Sequence, residues 1–452
     1  MRTITQRLTL LSGAALIASG CSTPAPQSGR DATSPPVRET FARSTDPGRV
    51  QDNWLSTFRD PALMALVEEA QGKNPDLTIA SGRLDEARAR ARKAGAALSP
   101  QIGAGVGSSR ADSGFGANTQ TNLNLSISWE VDVWGRVRQG KAGAEQDAMA
   151  AAADYEFARQ SLAAQTGEAW YYAIGAKQQA AIEAELVGVY EKTMEITDAR
   201  KREGMASQMD VDLARANLAN ARQSLSRSEG AREEAVRSLE ALLGRYPGAE
   251  LGIAGELPEM PGPVPTGLPS GLLERRPDMV AADRRVAAAF YRTGSARAAR
   301  LPSFSIGADL GRMLNPAATI WSLGANLLAP IVDGGARAAD VEIAEGQQKQ
   351  ALGMYVKTAI AGFQEVETAL ANEAVLAARE AELITAAEGY SRARRAAEVS
   401  YREGAMSLVD LNAIQSQDGT TRGELVRVKS ERLRQRIKLH LALGGSFDGA
   451  NR

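Results

Sequence analysis

Between Pro100 and Pro247 the chain contains no proline, and within that gap the stretch from Gly135 to Glu203 is dominated by Ala, Glu, Gln and Arg. Most of these are strong helix formers. Small and apolar residues recur at spacings of three and four: Leu162, Thr166, Ala169, Ala173, Ala176, Ala180, then Val187, Tyr190, Met194 and Thr197. A period near 3.5 marks a narrow seam of coiled-coil type. About seventy residues at 1.5 Å rise make a rod of roughly 100 Å, which no compact soluble domain requires. No proline follows Pro330, and Phe363, Val366, Leu370, Ala374, Ala377, Ala381 and Ile384 mark a similar seam in a second rod.

The first rod turns at Arg202-Glu203-Gly204-Met205-Ala206-Ser207. Gly204 fits a left-handed C-terminal position, and Ser207 fits the N-cap of the returning helix. The return has its own stripe from Leu218 to Leu242 and stops at Gly244, before a proline- and glycine-rich connector from Tyr246 to Pro269. Ahead of the rod, Asp60-Pro61 opens a short helix with Leu63, Leu66 and Val67 on one side. Asn74-Pro75-Asp76 opens a second, to about Leu98, with Asn74 as N-cap and Asp76 complementing the helix dipole.

Between helix and rod the period changes to two. Leu123, Leu125, Ile127, Trp129, Val131 and Val133 alternate with Asn122, Asn124, Ser126, Ser128, Glu130 and Asp132. This reads as a strand over about 120–133, with a partner over about 99–110. One face is apolar and the other wholly polar, as in a membrane barrel whose outside meets lipid and whose inside lines a wet lumen. Trp129 and Trp134 suit an interfacial girdle, and the Gly-rich stretch from Arg110 to Asn118 an extracellular loop.

The pattern then repeats. Arg276-Pro277-Asp278 matches Asn74-Pro75-Asp76 at an offset of 202, which also aligns Ala80 with Ala282, Pro100 with Pro302 and Gly105 with Gly307. Further on, Arg402-Glu403-Gly404, Ser407 and Asp410 match Arg202-Glu203-Gly204, Ser207 and Asp210 at an offset of 200. The repeats span 60–245 and 270–445, joined by a linker at 246–269 and followed by a tail at 446–452. The second holds strands over about 302–313 and 319–331, with a turn at Asn315-Pro316. Four strands cannot close a barrel, and an open edge cannot face lipid, so identical chains must complete it. Two chains give about eight strands with a filled interior; three give about twelve and room for a channel.

Residues 1–20 read as a secretory signal: Arg2 and Arg7, an apolar run from Leu8 to Ser19, then small residues before Cys21. Cys21 is the only cysteine, so no internal disulfide explains it. Ala18-Ser19-Gly20-Cys21 resembles a bacterial lipobox, which implies acylation of Cys21, and Ser22 at the next position implies delivery to the outer membrane. Residues 21–59, rich in Pro, Ser and Thr as far as Arg49, are expected to form an extended lipid-anchored tether.

Charge excludes several classes. With 53 Lys+Arg against 54 Asp+Glu the chain has no basic excess to recruit nucleic acid. One Cys and one His rule out Cys/His zinc sites, and no convergent acid, base or nucleophile set stands out, so neither a catalytic nor a metal site nor a cofactor is expected. His440, beside Leu439 and Leu441, reads as a helix C-terminal cation or a packed side chain.

Taken together, Trp129 to Arg136 (WEVDVWGR), Arg275 to Asp278 (RRPD), Leu301-Pro302, Pro330 to Gly335 and Tyr401 to Asp410 (YREGAMSLVD) resemble the outer membrane factor family of TolC-like channels. The lipobox points within it to the OprM- and NodT-like lipoprotein branch that serves resistance-nodulation-division (RND) pumps. The resemblance implies an outer membrane efflux protein fold: a homotrimer with four strands per chain, a twelve-stranded membrane β-barrel and a long periplasmic α-helical barrel. It implies a passive conduit in the outer membrane that docks to a periplasmic membrane fusion (adaptor) protein and an inner membrane RND-type transporter. A type I protein secretion duct uses the same fold, and a lipid-anchored structural coiled coil is the reading of a different class. In this family the far end of the rods closes to an aperture and meets the adaptor. That assigns gate and adaptor contact to Arg202, Glu203, Gly204, Ser207 and Asp210, and to Tyr401, Arg402, Glu403, Gly404, Ser407 and Asp410. The same Ser and Asp residues also suit plain helix capping. The family often has a second carboxylate three residues beyond Asp410; Ala413 stands there, leaving Asp410 to act alone or with Arg402 and Tyr401.

Overall fold

The computed structural model describes residues 33, 35–43, 48–112, 117–314 and 317–448. The expected signal segment, Cys21, the turn at Asn315-Pro316 and the tip of the loop between the first two strands lie outside the described residues. A 3₁₀ turn at Trp54–Phe58 precedes α1 (Pro61–Lys73), α2 (Pro75–Ala96), β1 (Gln101–Asp112), β2 (Ala117–Val131), α3 (Arg136–Arg202) and α4 (Gln208–Leu242). After the connector come α5 (Pro269–Arg275), α6 (Pro277–Ala298), β3 (Ser303–Leu314), β4 (Ala317–Leu328), α7 (Ala336–Arg402) and α8 (Leu408–Ala442). The two rods, α3 and α7, have 67 residues each, and the two returns, α4 and α8, 35 each.

The chain divides into two compact units. The first takes Ser81–Asp154 and Asp278–Ala359. Its sheet is antiparallel in the order β1-β2-β3-β4, leaving β1 and β4 as unpaired edges among the described residues. The register pairs Ile102 with Ile127, Ile127 with Ala308 and Ala308 with Leu323, so one face is apolar across all four strands. The opposite face brings Gly103, Ser126, Asp309 and Ser322 into one row. Glycines there make room for their neighbours: a Cβ on Gly105 would lie 2.6 Å from Asn124 Oδ1, and one on Gly107 2.6 Å from Asn122 Oδ1. The apolar face is bare, with Val106, Trp321 and Leu323 all more than 70% exposed.

The strands differ from expectation mainly at their ends. β2 stops at Val131 rather than 133, because Asp132 turns to cap α3, accepting from Val137 N at 3.0 Å and Arg138 N at 2.8 Å. β4 stops at Leu328 rather than 331, two residues before Pro330, which has no N–H to extend a ladder. Trp129 and Trp134 are both tied down, donating to Leu98 O at 3.0 Å and Pro302 O at 2.7 Å. α6 lies along the start of α3: Ser295 donates to Arg136 O at 2.9 Å, and Arg285–Asp154 and Arg292–Asp147 form ion pairs.

The second unit takes Val37–Ala80, Tyr155–Pro277 and Ile360–Arg452. The seam expected along α3 is buried at Leu162, Thr166, Ala173, Ala180 and Thr197. A second buried set that the seam does not include, Ala163, Ala164, Trp170, Tyr171 and Ile174, makes this helix a shared wall rather than one side of a pair. Small residues let α8 approach α3 closely. A Cβ on Gly167 would lie 2.7 Å from Ile437 Cδ1, and one on Gly419 2.4 Å from Leu186 Cδ1. The α7 seam is only half used: Val366 is fully buried, while Ile384 is 38% exposed.

The capping signals at the helix starts are realised. The Asp60 carboxylate accepts from Ala62 N and Leu63 N at 3.1 Å, and Asn74 Oδ1 accepts from Asp76 N at 2.8 Å. Asn74 also donates to Leu242 O at 2.9 Å, stapling the start of α2 to the end of α4.

The extended tether expected through residue 59 is corrected. Phe41, Val50, Trp54, Leu55 and Phe58 are all buried. Trp54 N donates to Ser446 O at 3.3 Å and Ser446 N to Asp52 Oδ1 at 3.0 Å, so this segment packs with the C-terminal residues. Polar composition hid a few large apolar residues, each worth a few kcal/mol of burial, enough to order a short segment. His440, the single histidine, is 1% exposed and stacks on Trp54 at 5.5 Å. Burial, and secondarily the charge of Arg436, push its pKa down to about 3, so it is a neutral packed ring and not a C-terminal cation.

Candidate functional site

The two hairpin tips fold alike. In the first, Gly204 has φ 77°, and Met205 N donates to Arg200 O at 2.8 Å, closing the end of α3. Ser207 then caps α4: its Oγ accepts from Asp210 N at 3.1 Å, while its own N–H donates to Asp210 Oδ2 at 2.8 Å. The Ser207 backbone N–H, then its hydroxyl, hold the Asp210 carboxyl below the usual carboxylate range. In the second, Gly404 has φ 85°, Ala405 N donates to Ser400 O at 2.9 Å, and Ser407 Oγ donates to Asp410 Oδ2 at 2.7 Å. Asp210 completes a capping box with Ser207, and Asp410 accepts from the hydroxyl of Ser407, the N-cap of α8, so each is bonded within its own turn.

Tyr401 behaves differently from its neighbours. Its side chain is buried, and its hydroxyl lies 2.7 Å from Thr197 Oγ1. Thr197 spends its single proton on Thr193 O at 2.8 Å, so the phenol is the donor in this pair. The Arg200 guanidinium stacks over the Tyr401 ring at 4.6 Å and donates to Tyr401 O. An apolar cluster of Ala214, Ala397, Tyr401, Leu408 and Leu411 fills the space behind.

Of the two expected alternatives, Asp410 alone or Asp410 with Arg402 and Tyr401, the second is not the arrangement found. Asp410 bonds Ser407, Tyr401 turns inward to Thr197 and Arg200, and no hydrogen bond or ion pair joins Arg402 to either among the described residues. Arg202, Glu203, Arg402 and Glu403 are exposed, and their side chains likewise make no hydrogen bond or ion pair among the described residues. They are free to meet something outside the chain. Thr197 and Arg200, the residues that hold the tips, were not expected as a pair with Tyr401. Thr197 stood only as a seam position, and nothing local links either to a residue some two hundred positions away.

Farther along the returns, a second polar cluster joins three helices. Asp418 on α8 is fully buried; it accepts from Ser391 Oγ on α7 at 2.7 Å, and Arg394 Nε lies 2.9 Å away as an ion pair without hydrogen-bond alignment. Arg422 pairs in two-pronged fashion with Glu185 on α3 at 2.9 and 2.6 Å, and Gln415 donates to Thr193 at 3.0 Å. Arg422 lowers the Glu185 carboxyl below its ordinary value. Here polar contacts among α3, α7 and α8 lie beside apolar packing, with Leu186 of α3 buried against Gly419 of α8.

Comparison with known proteins agrees with this architecture. The family described as outer membrane efflux protein matches the chain twice, over residues 66–245 and 268–445, which follow the two repeats. The chain is 28% identical over 449 residues to the pyoverdine export outer membrane protein OpmQ of Pseudomonas putida, covering 94% of this chain and 95% of that one. It is 28% identical to the cation efflux system protein CusC of Escherichia coli, covering 95% and 97%. Among solved structures it resembles the outer-membrane channel OprN with a TM-score of 0.84 at 25% identity, covering 92% and 98% of the two chains. The Campylobacter jejuni outer membrane channel CmeC shares the fold with a TM-score of 0.87 at 22% identity. With both repeats matched and the four-strand sheet and paired rods in place, the chain belongs to the outer membrane efflux protein family.

Proposed function

We propose that this protein is the outer membrane channel of a tripartite efflux system, a passive conduit for small molecules that performs no chemistry on them. The observation that supports this best is the sheet. It has one bare apolar face, one polar face and two unpaired edges, which suits closure by further copies inside a lipid bilayer. Three copies give twelve strands, and the apolar residues left bare along α7, such as Val375 and Ile384, meet neighbouring rods in the same assembly.

In this reading Cys21 is acylated and holds the mature chain at the outer membrane. The tips meet a periplasmic adaptor, which links the channel to an inner membrane RND-type transporter. The exposed charges Arg202, Glu203, Arg402 and Glu403 are the adaptor-facing groups. Tyr401, Thr197 and Arg200 are the clasp that keeps the aperture narrow. The named relatives belong to pyoverdine export and to cation efflux, so cargo choice is assigned to the pump and not to this conduit.

The test is reconstitution. Detergent-purified protein should run as a trimer by native mass spectrometry and conduct ions in a planar bilayer. A stable monomer that never conducts would overturn the reading.

A further inference from the structure

Among strand residues whose side chains are described, only four are charged: Arg110, Glu130, Asp309 and Arg312. They sort by face. The ladder puts Glu130 and Asp309 on the polar face, in register with Ser305 and Ser126. It puts Arg110 and Arg312 on the apolar face, opposite Thr119 and Leu123. Neither arginine forms an ion pair or a hydrogen bond among the described residues, and both are exposed.

Both arginines also sit at one end of that face. Apolar rows run from Val131–Phe304–Leu327 up to Ala104–Leu125–Leu310–Trp321. The next row is Val106–Leu123–Arg312–Thr319; above it the first hairpin carries the Ser108–Thr121 pair, 3.2 Å between hydroxyls, and Arg110–Thr119, while the second carries Leu314–Ala317 at its tip. These rows lie toward the strand hairpins, away from the ends that join α2, α3, α6 and α7. An arginine facing lipid is strongly disfavoured at the bilayer midplane and costs close to nothing at the interface. The end of the apolar band therefore coincides with the headgroup layer, and the two guanidiniums stand in it with hydroxyls between them. By ladder spacing their Cα atoms are about 17 Å apart, four residues along and two strands across.

We propose that Arg110 and Arg312, with Ser108, Thr119, Thr121 and Thr319, form a site for the phosphate groups of outer-leaflet glycolipid. This rests on the membrane-channel reading above, which makes the hairpin end the outer-leaflet end. Guanidinium binds phosphate through two parallel N–H donors and is the side chain best matched to it. The hydroxyls supply further donors between the charges. A lipid partner, rather than a protein, is indicated by the continuity of this patch with the bare apolar band below it: acyl chains cover the band while the headgroup meets the arginines. Charge sorting has the complementary effect inside, where the polar face carries carboxylates and repels the same phosphates.

The experiment uses the full-length trimer in detergent. Binding of lipopolysaccharide is followed by native mass spectrometry, against the same lipopolysaccharide treated with phosphatase, and against inorganic phosphate. The wild type should bind the phosphorylated lipid at least tenfold more tightly than the dephosphorylated one. Arg110→Gln with Arg312→Gln should abolish that difference, and Arg110→Lys with Arg312→Lys should keep part of it. The Lys pair keeps the question decidable if the Gln pair does not assemble. Equal binding of both lipids by the wild type, or a phosphate preference that survives the Gln pair, overturns the site. Occupancy by inorganic phosphate alone that is lost in the Gln pair overturns the lipid assignment. Single-channel recording on the same samples separates the two readings: protein that conducts but shows no phosphate preference loses the site alone, and protein that binds phosphorylated lipid but never conducts loses the channel.

Discussion

The phenol of Tyr401 and the hydroxyl of Thr197 lie 2.7 Å apart, joining the last turns of the two long helices. This is the direct side-chain hydrogen bond between α3 and α7 at the tips, and Arg200 reinforces it by stacking on the same ring. A clasp of this size is strong enough to hold one state and weak enough to yield, since a neutral hydrogen bond contributes about 1 kcal/mol net.

Tyr401→Phe with Arg200→Ala is expected to raise single-channel conductance or open probability in a planar bilayer, with a stability loss of about 1–2 kcal/mol per chain. Arg402→Ala with Asp410→Ala, which breaks no contact between the rods, should leave conductance unchanged and remove only the capping contribution of about 1 kcal/mol. If the second pair opens the channel and the first does not, the clasp is elsewhere.

Gly244 has φ 68°, and a Cβ there would sit 2.7 Å from the backbone oxygen of Lys73. Gly204 has φ 77° but open space around it. Gly204→Ala should therefore cost about 1 kcal/mol and Gly244→Ala about 2–3 kcal/mol, because only the second adds a backbone clash to left-handed strain. Thermal melting followed by helix circular dichroism ranks the two; equal losses would show that the close approach at Lys73 relaxes freely.

His440 makes stability depend on pH. Its folded pKa is about 3, against about 6.5 for a free histidine. The unfolded chain thus binds the proton first, so stability is full above about pH 6.5 and falls as pH drops toward 3. By pH 5 the loss is about 2 kcal/mol per chain. Neither ring nitrogen has a hydrogen-bond partner among the described residues, so an apolar ring should replace it at little cost. His440→Phe is expected to flatten the denaturation midpoint between pH 7 and 5; an unchanged slope would assign the acid sensitivity to other groups.

Cys21→Ser should stop acylation and shift the mass of the mature chain by more than the single-atom substitution, with the protein partly released from membrane fractions. Intact-mass measurement decides it: a mature mass that differs from wild type only by oxygen for sulfur rules out the lipid anchor.

What could be read from sequence was local or periodic. Asn74-Pro75, Ser207 and Gly204 announce helix ends because caps depend on residues within one turn of themselves. The alternation from Leu123 to Val131 announces a two-faced strand for the same reason, and the offsets near 200 announce the repeat. Contacts made across the fold left no such trace. Trp54 looks like an isolated aromatic in a polar tether until Ser446 and His440 arrive beside it. Glu240 looks like a surface carboxylate, yet it is 3% exposed and accepts from the N–H groups of Ala249, Glu250 and Leu251 at 2.7–2.8 Å. Burial pushes its carboxyl up, and those three bonds bring it below its ordinary value. At the tips both turns are legible in the sequence but the Tyr401–Thr197 bond is not, because a Tyr–Thr bond between helices has no spacing rule.

The pairing of residues 52–54 with Ser446 has a consequence in time as well as in space. Trp54 leaves the ribosome long before Ser446, whose bonding partner Asp52 lies 394 positions ahead of it. The core around Trp54, Phe58, Tyr171, Ile437 and Phe447 cannot close before Ile437 and Phe447 have been made. Until then its aromatic residues, and the bare face of the sheet, stand open to water. Completion of this core therefore depends on a contact between segments nearly four hundred residues apart, and the window in which its aromatic residues are open to proteases is set by how soon Ile437 and Phe447 join them.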